Sequence, residues 1–455
     1  MQCPLRLAKG SNHFLSIIIL FFCLLGTLHP VFAQTLTFTT NTFATSLSAP
    51  YAVAAADVNG DGKVDLISAS GDLNIFTNGG NVAFATNAIL PTGGGDFVVT
   101  ADVNGDGYLD LLTVGNKLIR IYTNNGTGVF GLSSTPAVGG AMEYFTTGDI
   151  NGDGSPDLIS GNFQATSVTI LTNDGSGNFG SNATVRIPNP LCVATADVNG
   201  DGSVDLVTAS TTFNSVMIFT NNGSGVLGSN ATLHAGLNPN CLICQDLNGD
   251  NKPDIVTANY GDDTLSIFTN NGSGVFGSNA TVLLDFPFPG GQGVSCVVAA
   301  DLNGDGKPDL ATVNYLYGHM CIITNNGFGV FGMNGIFNST IHLTWITAAD
   351  LNGDGKTDLI TANGQADTLT VYLNTSPFPP PNTTPAVNIK TSGAKTIISW
   401  PSDSPGWSLQ QNPDLTTSNW GPSGYDGYIV DDDGTNKNLV VTPPRGNLFF
   451  RLLHP

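Results

Sequence analysis

Short apolar segments separated by polar turns dominate most of this chain. Residues 192–232 show the pattern, with apolar segments at Cys192–Ala196, Leu206–Ser210, Ser215–Thr220 and Ser229–Thr232. The segments are too short for helices and are rich in small and β-branched residues. Asn and Gly, which tolerate positive φ, fill the turns between them. The pattern therefore predicts a four-stranded antiparallel meander, and it shows no helical periodicity.

This pattern occurs seven times, and each copy contains the loop D-[VIL]-N-G-D-[GN]-x-x-D-[LI], called the aspartate loop below. Four-stranded units that repeat along a chain predict a β-propeller, with a linear β-solenoid as the structural alternative. We number the repeats 1 to 7 by their loops, which begin at Asp57, Asp102, Asp149, Asp197, Asp246, Asp301 and Asp350.

The two ends of the repeat array favour the propeller. The last unit stops after its third strand, near Thr370–Asn374, whereas the chain begins in mid-unit with the strand-like segment Leu36–Phe43. Pairing these two segments would remove both exposed sheet edges. We therefore predict an all-β fold, a seven-bladed β-propeller closed by an N-terminal strand, over residues 34–375.

The aspartate loops carry the clearest chemistry. Positions 1, 3, 5 and 9 supply side-chain oxygens and position 7 a carbonyl, which is the kind of ligand set that Ca²⁺ prefers. The loop is not an EF-hand, because position 12 is Ser or Thr in every copy and strands flank it. We expect about seven Ca²⁺ sites, one in each repeat. The predicted ligand sets are Asp57, Asn59, Asp61, Lys63 and Asp65; Asp102, Asn104, Asp106, Tyr108 and Asp110; Asp149, Asn151, Asp153, Ser155 and Asp157; Asp197, Asn199, Asp201, Ser203 and Asp205; Asp246, Asn248, Asp250, Lys252 and Asp254; Asp301, Asn303, Asp305, Lys307 and Asp309; and Asp350, Asn352, Asp354, Lys356 and Asp358.

Composition agrees with this interpretation. The 35 acidic residues outnumber the 14 basic ones and give a net charge of −21. Most of the acids lie in the aspartate loops, so the charge marks local cation sites rather than an acidic tail. A nucleic-acid partner is not expected, because that function needs basic patches.

The loops resemble the FG-GAP repeat, also called the VCBS repeat, found in the seven-bladed head of integrin α subunits. The Phe-Gly pair is present at Phe130, Phe179, Phe276 and Phe331, each followed by Gly, but the Gly-Ala-Pro part is not evident. The resemblance covers residues ~35–375 and implies a calcium-binding propeller that acts as an adhesion or ligand-binding module. A minority of similar propellers are lectins, polysaccharide lyases or sugar dehydratases.

In a meander, the aspartate loops and Asn-Gly turns share one face, and the irregular connections lie on the other. Aromatic residues beside Asn and Asp on the irregular face suit sugars or a peptide loop. Phe97, Tyr144 and Trp345 lie five residues before a loop, like three of the cysteines, so we interpret them first as plugs of a central channel. The predicted ligand-binding residues are Phe163, Phe213, Tyr260, Asp262, Tyr315, Tyr317, His319 and Trp345.

We expect a recognition or adhesion module for an extracellular protein or glycan ligand. A calcium-dependent lectin and a carbohydrate-active enzyme, a lyase or hydrolase, are the alternatives. Catalysis is not expected, because no nucleophile or metal-type His motif is present and most carboxylates lie in the loops. The remaining acid–base candidates are Asp96, Glu143, Asp262, Asp263 and His319.

Residues 1–33 have the order of a secretory signal, with Arg6 and Lys9 before an apolar run and Val31–Ala33 as the cleavage site. We therefore expect a secreted or cell-surface protein, a monomer with no membrane span after cleavage. Residues 376–385 form a Pro-rich linker. Residues 386–455 are predicted to form a small β-sandwich, loosely similar to the fibronectin-type modules of secreted bacterial proteins.

Five cysteines follow the signal, and an odd number leaves at least one thiol free. The pair Cys241 and Cys244 lies in a strand, where redox-active CxxC motifs do not occur. We expect buried structural thiols. The five are Cys192, Cys241, Cys244, Cys296 and Cys321.

Overall fold

The computed structural model describes residues 5–6, 36–45, 49–115, 118–138, 140, 144–284, 293–326, 329–339 and 342–377, together with strand segments between 388 and 453. Its contacts divide the chain into two compact units: Phe32–Pro379, and Pro380–Pro455 with Met1–Val31. Within the described residues, one turn of 3-10 helix at Phe163–Ala165 is the only helical element. The fold is all-β, as predicted.

The larger unit consists of four-stranded antiparallel sheets that repeat along the chain and fit a propeller. In repeats 3 to 6 the four strands of each sheet follow the order of the chain, and repeat 7 supplies the first three strands of its sheet. The first strands are Phe145–Gly148, Pro190–Ala196, Pro239–Gln245, Val294–Ala300 and Leu343–Ala349. The second strands are Asp157–Asn162, Asp205–Ser210, Asp254–Asn259, Asp309–Asn314 and Asp358–Asn363. The third strands are Ser167–Asn173, Ser215–Asn221, Thr264–Asn270, His319–Asn325 and Thr368–Asn374, and the fourth strands of repeats 3 to 6 are Phe179–Arg186, Leu227–His234, Phe276–Leu283 and Phe331–Asn338.

Repeats 1 and 2 are joined in one six-stranded sheet, which the sequence pattern did not predict. Two long strands run through both expected turns, and Gly95 pairs with Gly71 on one side and Gly115 on the other. A Cβ at Gly95 would lie 2.5 Å from the Thr92 hydroxyl, so glycine permits this close approach. The six strands are Ala52–Ala56, Asp65–Asn78, Phe84–Ala101, Asp110–Gly115, Leu118–Asn124 and Phe130–Ser134.

The last sheet takes its fourth strand from the start of the chain. Phe38–Ala44 pairs antiparallel with Thr368–Asn374, in the exchange that the ends of the repeat array indicate. The Thr45 N–H donates to the Asp367 carbonyl oxygen at 2.8 Å, and the Ala49 N–H donates to the Asp367 carboxylate at 2.6 Å. These bonds extend the connection beyond the paired strands.

The core lies along the second strands, which are buried throughout. Leu or Ile at position 10 of every aspartate loop starts this buried run and has no exposed surface. Burial of each such side chain stabilises the fold by about 1.5–3 kcal/mol. First strands of successive repeats contact one another, and the first strand of repeat 7 contacts that of repeat 1.

The smaller unit contains two four-stranded sheets. One orders Asn388–Ser392, Lys395–Pro401, Asn436–Val441 and Val430–Asp432; the other orders Leu5–Arg6, Phe449–Leu453, Ser408–Asn412 and Gly421–Pro422. Apart from Leu5–Arg6, the predicted signal segment lies outside the described residues, as do most of the linker and Glu143. Among the described residues, no helix has the length and apolar character needed to cross a membrane.

Candidate functional site

Each aspartate loop is built around the side chain at its first position. In repeat 4 the Asp197 carboxylate accepts hydrogen bonds from the backbone N–H groups of Gly200 at 2.7 Å, Asp201 at 3.2 Å and Gly202 at 2.8 Å. The Asp201 carboxylate then accepts the N–H of Ser203 at 2.8 Å. The bond from position 6 to the first Asp recurs in all seven repeats. The loop is therefore a series of local Asx-type turns, which the short spacing of its Asp and Asn residues produces.

Position 6 needs a left-handed backbone. It is Gly in six repeats and Asn251 in the fifth, where φ is +61°. Asn is among the residues that tolerate this conformation best after Gly. The fifth loop therefore keeps the shape of the others, as its sequence indicates.

The Asp at position 9 differs from the others because it is fully buried in every repeat. Asp205 accepts hydrogen bonds from the N–H of Val198 at 3.0 Å and of Asn221 at 2.7 Å. Burial raises the pKa of this group, to about 7 for Asp309 and to about 6 for Asp358. The position-9 side chain thus joins the aspartate loop to the end of the third strand.

The oxygen donors of the loops have the chemistry that a hard cation such as Ca²⁺ requires. Each carboxylate or amide oxygen that accepts one N–H keeps a second lone pair. In the described part of the chain, however, no three Asp, Glu, His or Cys side chains converge as a metal site. The chemistry of the donors fits Ca²⁺, and its binding by positions 1, 3, 5, 7 and 9 stays a prediction.

A second recurring residue, which the sequence analysis missed, is the Asn that ends each third strand. Asn221 is buried and donates to the Val204 carbonyl of its own loop at 2.9 Å and to the Ile150 carbonyl of the preceding repeat at 2.6 Å. Its recurrence before every Asn-Gly turn was the available signal. The seven bonds between repeats join Asn78 to Leu351, Asn124 to Val58, Asn173 to Val103, Asn221 to Ile150, Asn270 to Val198, Asn325 to Leu247 and Asn374 to Leu302.

A cavity of about 780 Å³ lies at the other end of the first strands. It receives residues from six repeats, which are far apart in sequence. Its aromatic lining residues are Tyr51, Phe97, Tyr144, Phe163, Tyr260, Tyr315 and Trp345.

β-Bulges supply the polar lining of this cavity. In the first strands the pairing skips one residue near the start, between Gly95 and Phe97 for example. The skipped residues Asp96, Asn240, Ser295 and Thr344 all line the cavity. A bulge re-aims the extra side chain away from the ladder. One backbone irregularity thus presents a different polar group in each of four repeats.

Phe97 and Trp345 directly follow bulges, and Tyr144 occupies the equivalent position in repeat 3. Phe97, Tyr144 and Trp345 come from repeats 2, 3 and 7, yet their ring centroids lie 5.1–5.7 Å apart. The three rings therefore pack together, as the channel-plug interpretation expects, and their edges still line the cavity. Cysteines occupy the same position in repeats 4, 5 and 6.

The predicted ligand-binding residues divide into two groups. Phe163, Tyr260, Tyr315 and Trp345 line the cavity, whereas the other four do not. Phe213 is 56% exposed on its own connection. The sequence analysis did not single out Tyr51, Ser295 or Thr344, whose place in the cavity depends on which repeats meet there.

Three of these predicted residues have other surroundings. His319 is buried at the start of a third strand, its ring stacks on that of Tyr317, and burial lowers its pKa. Asp262 accepts hydrogen bonds from the Leu237 N–H and the Thr264 hydroxyl, both at 2.8 Å. A role for these residues in binding stays a prediction.

The electrostatics of the cavity depend on Asp96. Among the described lining residues it is the only carboxylate, and neither Lys nor Arg is present. Desolvation by the surrounding protein raises the pKa of Asp96, although its side chain keeps exposed surface. The cavity therefore combines aromatic faces with one negative charge.

The other polar groups are largely engaged within the protein. The Asn240 amide donates to the Ser295 carbonyl at 3.2 Å. The Ser295 hydroxyl lies within hydrogen-bonding distance of the Val313 and Leu343 carbonyls, and the Thr344 hydroxyl donates to backbone carbonyls at 2.9 and 3.0 Å. These three side chains are therefore less available to a ligand, whereas Gln164 and the tyrosine hydroxyl groups also line the cavity.

Comparisons with known proteins agree with this architecture. The family model for the FG-GAP-like repeat matches residues 57–113, 102–160, 149–208, 197–257, 246–312 and 302–361. No curated protein matches.

Among solved structures, BBS1N in complex with ARL6DN is similar with a TM-score of 0.55 and 11% identity, over 76% of this chain and 99% of the other. A catalytically inactive virginiamycin B lyase from Staphylococcus aureus, determined with quinupristin, has a TM-score of 0.50 and 14% identity, over 74% and 99%. Similarity at this level of identity shows the fold alone.

Proposed function

This chain belongs to the FG-GAP-like repeat family, and we propose that it is a calcium-stabilised recognition module that binds a protein partner. The partner would place a basic side chain, Lys or Arg, in the cavity at the start of the first strands. The observation that carries the proposal is the lining of this cavity by seven aromatic residues and the Asp96 carboxylate.

Cation–π attraction explains why a basic side chain suits this lining. An ammonium or guanidinium group over aromatic faces gains about 0.5–2 kcal/mol, and a nearby carboxylate adds a charge-assisted hydrogen bond. Seven bound Ca²⁺ ions would reduce the net charge from −21 to about −7, which would still attract a cationic partner before contact. An anionic ligand would meet Asp96 with no compensating base among the described lining residues.

A protein ligand is favoured over a glycan because sugars require several directional hydrogen bonds. The Asn240, Ser295 and Thr344 side chains already bond within the protein. The BBS1N structure is a complex with a protein, ARL6DN, which fits a protein ligand for a similar fold. A lectin and a carbohydrate-active enzyme remain the alternatives that the experiment must separate.

We further propose that the seven repeats form one closed ring. The strand exchange at Phe38–Ala44, the contact between the first strands of repeats 7 and 1, and the bond from Asn78 to the Leu351 carbonyl support it. A ring leaves no sheet edge exposed at either end of the array. Calcium in the aspartate loops would hold the other end of each repeat, with the ligands named above.

We also infer that the protein acts outside the cytoplasm. Residues 1–33 have the order of charged, apolar and small residues that secretory signals use. Mass determination of the N-terminus of exported material should find Gln34 first; an uncleaved N-terminus would contradict this inference.

Binding of N-acetyl-arginine amide, measured by calorimetry and by NMR titration, tests the proposed site. The neutral probe N-acetyl-citrulline amide has nearly the same shape and should bind at least fivefold more weakly. Asp96→Asn should weaken binding of the arginine probe by about five- to tenfold, which corresponds to a loss of about 1–1.4 kcal/mol in binding free energy. Phe213→Ala, an exposed aromatic outside the cavity, is the matched control and should leave binding unchanged.

Equal affinity for the two probes, or no effect of Asp96→Asn, would contradict the proposal. A glycan array that reports binding of neutral sugars, abolished by Tyr260→Ala, would instead favour the lectin. Turnover of a polysaccharide would favour the enzyme.

A further inference from the structure

Three cysteines occupy equivalent positions in consecutive repeats, each directly after a bulge in the strand pairing. Cys192, Cys241 and Cys296 are 5%, 2% and 1% exposed. Each lies in a first strand, and first strands of neighbouring repeats are in contact. The repeat therefore brings together thiols that are about fifty residues apart in sequence.

The Cys241 thiol interacts with both of the others, Cys192 and Cys296. The Cys241 sulfur lies 3.4 Å from the Cys296 sulfur. A disulfide needs sulfurs at about 2.0 Å and Cα atoms within about 7 Å, so the two sulfurs would have to approach by about 1.4 Å. No disulfide is present among the described cysteines.

A hydrogen bond from a side chain next to the two cysteines also joins their strands. Asn240 and Ser295 directly precede the two cysteines, and the Asn240 amide donates to the Ser295 carbonyl at 3.2 Å. Both residues line the cavity. A small oxidant in the cavity would therefore be one residue away from each thiol.

We propose that Cys241 and Cys296 are a modification site, an oxidisable pair that forms a disulfide between repeats 5 and 6 on reaction with a small-molecule disulfide. One cysteine, as its thiolate, attacks the reagent, forms a mixed disulfide and releases the first small thiol. The second cysteine then attacks the mixed disulfide at the protein sulfur and releases the second small thiol. The two protein thiols are oxidised, each loses its proton to solvent, and the reagent is reduced to two thiols.

Two properties limit the reaction. The hydrogen bond with Cys192 lowers the pKa of Cys241, but the hydrogen bond with Cys296 and burial outweigh it and raise this pKa well above its usual value, so little thiolate is present at neutral pH and oxidation should be slow. Cys192 is the competitor, because its thiol also hydrogen-bonds with that of Cys241 and its sulfur accepts the Leu242 N–H at 3.3 Å. The direct sulfur contact favours Cys296 as the partner of Cys241.

The crosslink would join residues that are 55 positions apart. Closing a loop of that length restricts the unfolded chain and should raise the midpoint of thermal unfolding. Oxidised protein should therefore melt at a higher temperature than reduced protein, and dithiothreitol should reverse the shift.

Incubation of the full-length protein with glutathione disulfide at pH 8.5, followed by peptide mapping without reduction, tests the proposal. The expected product is a peptide pair that joins Cys241 to Cys296, with a mass about 2 Da lower than the sum of the thiol forms. Cys192→Ala should leave this product in place, and Cys296→Ala should abolish it. Cys321→Ala, which removes a buried thiol on a third strand, is the matched control and should leave the peptide pair that joins Cys241 to Cys296 unchanged.

If Cys296→Ala fails to fold, the mapping of the unsubstituted protein still decides the question. Recovery of Cys241 and Cys296 as free thiols after prolonged oxidation of the native protein would overturn the proposal. Dominant pairing of Cys241 with Cys192 or Cys244 would overturn it as well.

Discussion

The two ends of the first strands use repetition in opposite ways. At one end, the aspartate loops repeat the same Asp and Asn side chains, and the bond from position 6 to the first Asp is present in every copy. At the other end, the bulge is repeated but its side chain changes, from Asp96 to Asn240, Ser295 and Thr344. A constant backbone with variable side chains is the arrangement expected of a binding site on a shared fold.

This difference separates stability from recognition. Side chains of the loop end satisfy buried backbone groups and join successive repeats, so changes there should affect folding. Asp96 at the cavity end keeps exposed surface, so its replacement should affect binding rather than folding.

Removal of calcium should have the largest effect on the loop end. An ion bound only to the folded state stabilises it by about 2.7 kcal/mol per site at one hundred times its dissociation constant. Loss of several ions should therefore lower the midpoint of thermal unfolding by more than about 10 °C. Calorimetric scans in EGTA, with and without excess Ca²⁺, measure the change.

Asp197→Ala, which removes the first carboxylate of one aspartate loop, should lower the midpoint of thermal unfolding by only a fraction of the change that calcium removal causes. Protein purified without divalent cations, with the same melting curve in EGTA and in Ca²⁺, would rule out the calcium sites and leave the loops as self-bonded turns.

The strand-end asparagines should have the next largest effect. Asn221→Ala removes two donated bonds and leaves the Ile150 and Val204 carbonyls without this partner, so we expect a loss of about 2–4 kcal/mol in the free energy of unfolding. Urea unfolding measures it. Asn222→Ala, at the exposed next position, should lower the free energy of unfolding by less than about 1 kcal/mol. Equal costs for the two variants would argue against a specific connection between repeats.

The smallest effect concerns the pH dependence of binding at the cavity end. Desolvation raises the pKa of Asp96 above the ordinary 3.8, so the carboxylate takes up its proton at a higher pH than an ordinary Asp. Affinity for N-acetyl-arginine amide should be highest with the group ionised and fall by about five- to tenfold as pH drops through the raised pKa. Calorimetric titration over a pH series measures this change. Asp96→Asn should bind weakly at every pH; a pH dependence unchanged in Asp96→Asn would assign the titration to another group.

Local features of the sequence predicted much of this protein. Asp, Asn and Gly at short spacing form turns through bonds that span only a few residues, so the aspartate loops can be read directly from the chain. Alternating short strands and the two incomplete ends indicated the all-β repeats and the pairing of Phe38–Ala44 with the last sheet. The fusion of repeats 1 and 2 was missed, because it depends on how closely the backbones at Gly71, Gly95 and Gly115 approach.

Tertiary structure alone decided which distant residues meet. Phe97 touches Trp345, Cys241 touches Cys296, and Asn221 reaches a carbonyl 71 residues away. Equivalent positions in different repeats look alike in sequence, and only packing selects which of them become neighbours. The physical reason is range: turn chemistry acts within a few residues, whereas a cavity shared by several repeats exists only after their first strands have packed together.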